Sequence, residues 1–212
     1  MSTRPIRNSI LALAVLAALA LAVAGATWAQ DDASAEEMEA LQRDAARGDA
    51  EAQFKLGLVH DLGVDVPENN PEAVKWYASA AEQGHPNAQF NLALMYDEGE
   101  PGVAENNLKA AHYYRLAAEQ GQVEAQFNLG LMYDEGEPGI AENNVEAVKW
   151  YRLAAEENYE DAQYNLGLMY DLGEAGVPED NREAVKYYVQ AAAHGNENAQ
   201  FNLAVRQQGQ GQ

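Results

Sequence analysis

The chain has 212 residues, and its 34 acidic and 13 basic side chains give a formal net charge of −21 at neutral pH. This charge excludes nucleic acid as a partner, because binding to phosphate requires clustered lysine and arginine side chains. The chain contains no cysteine, which excludes disulfide bonds and lipid modification of an N-terminal cysteine. The acidic residues are spread along the sequence. We therefore expect the negative charge either to keep the protein soluble or to steer a basic partner towards its surface.

The N-terminal segment has the pattern of an export signal. Arg4 and Arg7 precede the apolar run of residues 10–26, and residues 24–26 (Ala-Gly-Ala) and 27–29 (Thr-Trp-Ala) offer two cleavage sites. This pattern predicts a signal peptide over residues 1–29 and a periplasmic or secreted bacterial protein with no membrane span after cleavage. The run is slightly shorter than the roughly 20 residues that span a bilayer, and retention as an inner-membrane anchor is the alternative.

The rest of the sequence repeats itself. An alanine followed by glutamine and an aromatic residue recurs every 36 or 37 residues, at Ala52, Ala88, Ala125, Ala162 and Ala199. A period of this length is typical of a solenoid of stacked helical hairpins. We therefore expect an all-α fold of about four and a half hairpins, whose extended surface favours binding over catalysis.

The pattern within each complete copy predicts two helices, which we name helix A and helix B. In the second copy, helix A carries one apolar stripe, formed by Ala88, Leu92, Met95 and Tyr96. A small residue beside this stripe predicts a close approach of helix B; in the four copies it is Gly57, Ala93, Gly130 and Gly167. Helix B is predicted to begin after the second residue of a polar pair, which would be its N-cap, at Asn70, Asn107, Asn144 and Asn181.

These signals predict the organisation of the chain. A capping box at residues 34–37 opens an N-terminal capping helix, residues 30–47. The four repeats occupy residues 48–83, 84–120, 121–157 and 158–194. A half repeat with helix A alone, residues 195–206, precedes a disordered tail, residues 207–212.

The repeat pattern resembles that of the Sel-like repeat (SLR) family, which is related to the tetratricopeptide repeat. In the fourth copy the resemblance rests on Ala162, Leu166, Gly167, Tyr170, Gly173, Gly176, Val177, Asp180, Ala184, Tyr187, Tyr188, Ala191, Ala192 and Gly195. The resemblance implies a right-handed α/α solenoid that acts as a protein-interaction scaffold or adaptor. Because some SLR proteins are described as β-lactamases, it also implies an alternative, a hydrolase of cell-wall or β-lactam substrates.

The candidate binding surface lies on the face of helix A opposite the core stripe. In tetratricopeptide-like arrays, which this chain resembles, that face lines the concave surface and holds extended peptides. The residues there are Phe54, Leu58, Asp61, Phe90, Leu94, Asp97, Phe127, Leu131, Asp134, Tyr164, Leu168, Asp171, Phe201 and Val205. Such a surface suits an extended or helical protein segment with apolar anchors and basic flanks. The alternative is that neighbouring A helices use these residues in packing.

Two further series recur beside this face. Asn91, Asn128, Asn165 and Asn202 lie at the border of the core stripe, as do Gln89 and its copies. We interpret both series as structural hydrogen bonds within a hairpin.

The sequence offers little for catalysis. After residue 29 the hydroxyl nucleophiles are Ser34 and Ser79, and the four histidines occupy different repeat positions. The acidic loops lack the spacing of a calcium site, so we predict no catalytic residue, no cofactor and no metal. The helix A that ends the array predicts a third possibility, self-assembly of an envelope protein through exposed Phe201 and Val205.

Overall fold

The structure, a computed structural model, describes the backbone of residues 29–209 and the side chains of residues 35–206. The predicted signal peptide up to residue 28 and the last three residues of the predicted tail lie outside this range. Within it the chain forms ten α-helices, α1 to α10 in order: Ala29–Ala46, Ala50–Leu62, Asn70–Glu82, Pro86–Glu98, Asn107–Glu119, Val123–Glu135, Asn144–Glu156, Glu160–Leu172, Asn181–Ala193 and Glu197–Gly209. In the described residues, no helix has the length and apolar character that crossing a membrane requires.

The helices form consecutive hairpins. The even-numbered helices from α2 to α10 are the predicted A helices, and the odd-numbered ones from α3 to α9 are the B helices. The chain divides within α3 into two compact units, one up to Ala80 and one from Ala81. In the first unit α1 packs on α2, and in the second unit every helix from α4 to α9 packs on the next along the chain. The predicted all-α solenoid is confirmed.

A buried tyrosine of helix B lies directly over the small residue of helix A. A Cβ atom added to Gly57, Gly130 or Gly167 would lie 2.4, 2.6 or 2.5 Å from a ring carbon of Tyr77, Tyr151 or Tyr188. These separations are shorter than any ordinary contact between carbon atoms. The predicted close approach of the two helices is therefore confirmed.

The start of helix B differs from the prediction by one residue. Asn106 and Asn143, the first residues of their pairs, are the N-caps and accept from the backbone N–H groups of Lys109 and Glu146. The prediction that the second asparagine caps the helix was wrong, because that residue has another role. Asn107 and Asn144 are buried, and each donates from Nδ2 to a loop glutamate of the next repeat, at 3.1 Å to Glu137 Oε2 and at 3.3 Å to Glu174 Oε2.

Both ends of the array also differ from the prediction. Within the described residues helix α1 covers Ala29–Ala46, so Ser34 lies inside the helix, and the prediction that its capping box opens the helix was wrong. Helix α10 continues to Gly209, three residues beyond the predicted end of the half repeat.

We expect Gly130→Val to lower the free energy of unfolding by about 1–3 kcal/mol, because the branched side chain overlaps the buried ring of Tyr151. Gly130→Ala is the matched control. The second repeat has Ala93 at this position, and alanine favours the helix by about 1 kcal/mol over glycine. The free energy of unfolding of Gly130→Ala should therefore change little. Urea titration followed by circular dichroism measures both. Equal stability of the valine variant and the parent would contradict the close approach.

Candidate binding surface

Three of the four aromatic candidates in the repeats are buried. Phe54, Phe90 and Phe127 expose no more than 6% of their surface. Each ring packs on the helix B tyrosine of its own hairpin, with ring centroids 5.9, 5.9 and 5.7 Å apart. These rings are therefore used in packing, and the partner in each of these contacts is helix B of the same hairpin rather than a neighbouring helix A.

The next hairpin contributes to the cover of Phe127. The ring of Phe127 also lies 4.8 Å from that of Tyr159, which precedes the following helix A. In the fourth repeat Asn196 takes the place of Tyr159, and Tyr164 is only half-buried. No hairpin follows α10 within the described residues, and Phe201 is 68% exposed. A helical wheel describes one helix and therefore does not show which of its side chains another hairpin covers.

The leucine candidates remain at the surface of the second unit. Leu94, Leu131 and Leu168 are half-buried, whereas Leu58 in the first unit is buried. Their spacing of 37 residues places one leucine on each of α4, α6 and α8. We call these three residues the leucine row.

The aspartate candidates accept hydrogen bonds from the buried tyrosines. Tyr114 Oη donates to Asp97 Oδ2 at 3.2 Å, and Tyr151 Oη donates to Asp134 Oδ2 at 3.1 Å. The first and fourth repeats contain the same bond, at 3.0 and 3.2 Å, from Tyr77 to Asp61 and from Tyr188 to Asp171. These carboxylates therefore satisfy buried hydroxyl groups.

The asparagine series completes the same arrangement. Asn128 hydrogen-bonds the hydroxyl of Tyr114, and Asn165 hydrogen-bonds that of Tyr151. Each asparagine comes from the helix A that follows the tyrosine, so the bond joins consecutive hairpins. The prediction of a bond within one hairpin was wrong in this respect. We call a tyrosine with its aspartate and its asparagine a tyrosine hub.

Burial sets the protonation states in the hub. Burial raises the pKa of Tyr114 and of Tyr151 well above its ordinary value, and the charge of the bonded aspartate raises it further. Burial also raises the pKa of Asp134, while the hydrogen bond from Tyr151 opposes this shift. The phenol thus stays neutral over the ordinary pH range and donates to the carboxylate.

A set of arginine–tyrosine contacts was not predicted. Arg115 Nη2 donates to Tyr133 Oη, and Arg152 Nη2 donates to Tyr170 Oη at 2.8 Å. Each bond joins a helix B to the following helix A. The signal in the sequence is an arginine that repeats after 37 residues together with a tyrosine that does the same.

Nucleophiles and metal ligands are not gathered at a site in the described part of the chain. Ser79 Oγ donates to the carbonyl oxygen of Lys75, one turn back in the same helix. Within the described residues, no group of three or more histidine, aspartate or glutamate side chains is arranged to hold a metal ion.

We expect Asp134→Asn to raise stability at neutral pH, because the amide oxygen still accepts from Tyr151 while the burial of a charge is avoided. The raised pKa of Asp134 means that the folded state favours the protonated carboxyl. Stability from that proton is present below the unfolded value of 3.8 and is lost as pH rises through the folded pKa. The gain should therefore vanish in acid.

The matched control for this prediction is Glu135→Gln, which removes the same charge from an exposed neighbouring position. Urea midpoints measured from acid to neutral pH separate the two variants. An equal gain for both variants at pH 7 would mean that net charge alone accounts for the effect.

The comparisons with known proteins identify the repeat. The family model for the Sel1 repeat matches residues 50–85, 86–122, 123–159 and 160–196, so each match begins two residues after the predicted boundary. No curated protein matches the chain in sequence.

Two solved structures share both fold and sequence. A protective antigen of uropathogenic Escherichia coli strains, c5321, which displays an SLR fold, is 32% identical with a TM-score of 0.73; the match covers 79% of this chain and 35% of that one. A Sel1 repeat protein from Oxalobacter formigenes is 42% identical with a TM-score of 0.68, and the match covers 75% of this chain and 62% of that one. The chain thus spans about one third and three fifths of these proteins. Through its four matched repeats, the chain belongs to the Sel1 repeat family.

Proposed function

We propose that this protein is an interaction scaffold that holds an extended or helical segment of a partner protein along the leucine row. The observation that carries the proposal is the recurrence of a half-buried leucine on three successive A helices, Leu94, Leu131 and Leu168. Apolar side chains at regular intervals provide several weak anchoring sites for one chain. Membership in a family of solenoid proteins supports this reading.

The charge around the row supports a basic partner. Glu98 and Glu135 lie in the last turns of α4 and α6, next to the leucines. The chain as a whole carries a net charge of −21. Opposite charges on the partner would accelerate association and make it sensitive to salt.

The tyrosine hubs support binding without rearrangement. Asp97 and Asp134 are held by Tyr114 and Tyr151, which fixes the last turns of α4 and α6. A surface that is ordered before binding loses little entropy on binding. The leucine row therefore suits a flexible partner segment that becomes ordered on a rigid support.

Export is part of the proposal. Arg4, Arg7 and the apolar run of residues 10–26 support a periplasmic or secreted location. One similar protein is described as a protective antigen, which is consistent with an exported protein.

Self-association through α10 is a second candidate. Phe201 is 68% exposed and Val205 is 51% exposed, and two copies could cover these side chains mutually. We expect light scattering to show a mass that rises with concentration for the parent and stays constant for Phe201→Asp. A constant monomer mass for the parent would remove this candidate.

We expect Leu131→Ala combined with Leu168→Ala to weaken peptide binding about tenfold or more, because two anchors of the row are removed. The probe is a labelled synthetic peptide that alternates leucine and lysine, and fluorescence anisotropy measures its affinity. High salt should weaken binding to the parent, since the lysines face an acidic surface.

Val145→Ala combined with Val189→Ala is the matched control. These two valines are exposed on the B helices α7 and α9, so they lie away from the row. Circular dichroism checks that both double variants remain folded. If the leucine variant bound the peptide as tightly as the valine variant, the leucine row would not be the binding surface.

A further inference from the structure

A groove of about 670 Å³ lies between the B helices α5 and α7, above the helix A between them. We call it the α5–α7 groove. Arg115 and Glu119 line it from α5, and Tyr133 lines it from α6. Lys149 and Leu153 line it from α7. The groove is built from residues other than the leucine row.

The A helices contain a buried glutamine that shows how the repeats normally close this region. Gln89 and Gln163 each donate from Nε2 to a carbonyl oxygen of the preceding helix B. The side-chain oxygen of each is also bonded, by Gln120 Nε2 at 2.6 Å and by His194 Nδ1 at 3.0 Å. In both cases the partner lies 31 residues further along the chain.

The third repeat lacks this donor. Gln126 makes the same Nε2 bond, to Ala118, but the residue 31 positions further on is Glu157. An ionised carboxylate only accepts hydrogen bonds, and Gln126 Oε1 has no partner although the residue is 6% exposed. Gln126 also lines the α5–α7 groove.

A second unpartnered atom lies beside the same groove. Trp150 lines the groove and is 4% exposed, and its Nε1–H group has no hydrogen-bond partner. The corresponding residues of the second and fourth repeats are Tyr113 and Tyr187. The third repeat thus combines a buried acceptor without a donor and a buried donor without an acceptor. Because nearly all buried polar groups in proteins are hydrogen-bonded, this donor and this acceptor call for a partner from outside the chain.

We propose that the α5–α7 groove binds an extended peptide segment of a partner protein through that segment's backbone. A backbone N–H would donate to Gln126 Oε1, and a backbone carbonyl oxygen would accept from Trp150 Nε1. The peptide backbone is the ligand that carries a donor and an acceptor side by side at every residue. This site is separate from the leucine row, and its test does not depend on the function proposed for the row.

The charges of the groove fit a neutral backbone better than an ion. Arg115 and Lys149 line it together with Glu119 and Glu146, and Lys149 pairs with Glu146 at 3.4 Å. Two cations and two anions favour neither a basic nor an acidic ligand. Recognition therefore falls to the uncharged hydrogen-bonding atoms of Gln126 and Trp150.

A neighbouring pocket provides a place for a side chain of the bound segment. It has a volume of about 480 Å³, and Arg115 and Tyr133 line both it and the α5–α7 groove. Leu108, which is 61% exposed, and Ile140 give it an apolar wall. An extended segment that enters the groove would direct an adjacent apolar side chain into this pocket.

Binding requires local side-chain movement, because Gln126 Oε1 and Trp150 Nε1 are both buried. Lys149 Nζ lies 5.0 Å from the ring centroid of Trp150 and covers the indole. The lysine side chain is 58% exposed, so it can change rotamer without disturbing the core. The segment would replace the lysine over the indole.

Two variants taken from the other repeats test the proposal. Glu157→Gln restores the donor that Gln120 supplies to Gln89, and it should therefore occupy Gln126 Oε1 from within the protein. Trp150→Tyr introduces the residue of the second and fourth repeats and removes the indole N–H. Both variants should fold, because other repeats of this chain already have glutamine or tyrosine at the corresponding position. Glu157→Gln should also raise the melting temperature.

The probe is an array of hexapeptides with acetylated N-termini and amidated C-termini, so that terminal charges are absent. Binding peptides are then titrated into the labelled full chain, and the indole N–H resonance of Trp150 is followed by NMR. We expect a saturable shift of this resonance but not of the Trp76 resonance. Each variant should weaken the affinity about fivefold. Fluorescence anisotropy of the labelled peptide measures the affinities of the variants, because Trp150→Tyr has no indole resonance at this position.

Glu156→Gln is the matched control, because it removes the same charge from an exposed neighbouring position and should leave the affinity unchanged. The proposal is overturned if no peptide shifts the Trp150 resonance, or if Glu157→Gln and Trp150→Tyr bind as tightly as the control. The leucine-row double variant should retain this binding, so failure here leaves the function proposed for the row untouched.

Discussion

The fold depends on the buried tyrosine of each helix B. Its ring lies against the small residue of the preceding helix A, as Tyr151 does against Gly130, and it fills the interior of the hairpin. Its hydroxyl group then has to be satisfied away from water, since an unpaired buried hydroxyl is costly. Asp134 of the same hairpin and Asn165 of the next one satisfy it together. One side chain thus closes a hairpin and joins it to its neighbour without any disulfide.

This arrangement determines which residues remain available for binding. Phe90 and Phe127 are used as packing partners of the tyrosine rings, and the aspartates are used as hydrogen-bond acceptors. The leucine row on the A helices is among the side chains that the hubs leave uncovered in the second unit. The row therefore follows from the same packing constraint that buries the aromatic candidates.

The sequence predicts the hairpin well and the contact between hairpins poorly. The contact of Tyr151 with Gly130 lies within one hairpin, so the pattern of a single copy is enough to predict it. Phe127 is covered by Tyr159 and Asn107 binds Glu137, and these pairs belong to consecutive copies. A periodic pattern contains no separate signal for such contacts, so the sequence left the burial of the phenylalanines open and misplaced the N-caps by one residue.

A uniform repeat carries little information about its partner, because every copy offers the same side chains. Specificity has to come from positions where the copies differ, and the hydrogen bonds of the other copies show which differences matter. At the position of Glu157 two repeats place a donor, and the third places an acceptor. If the row and the groove each hold a segment of one partner, the second contact becomes intramolecular, and two weak sites together bind far more tightly than either alone.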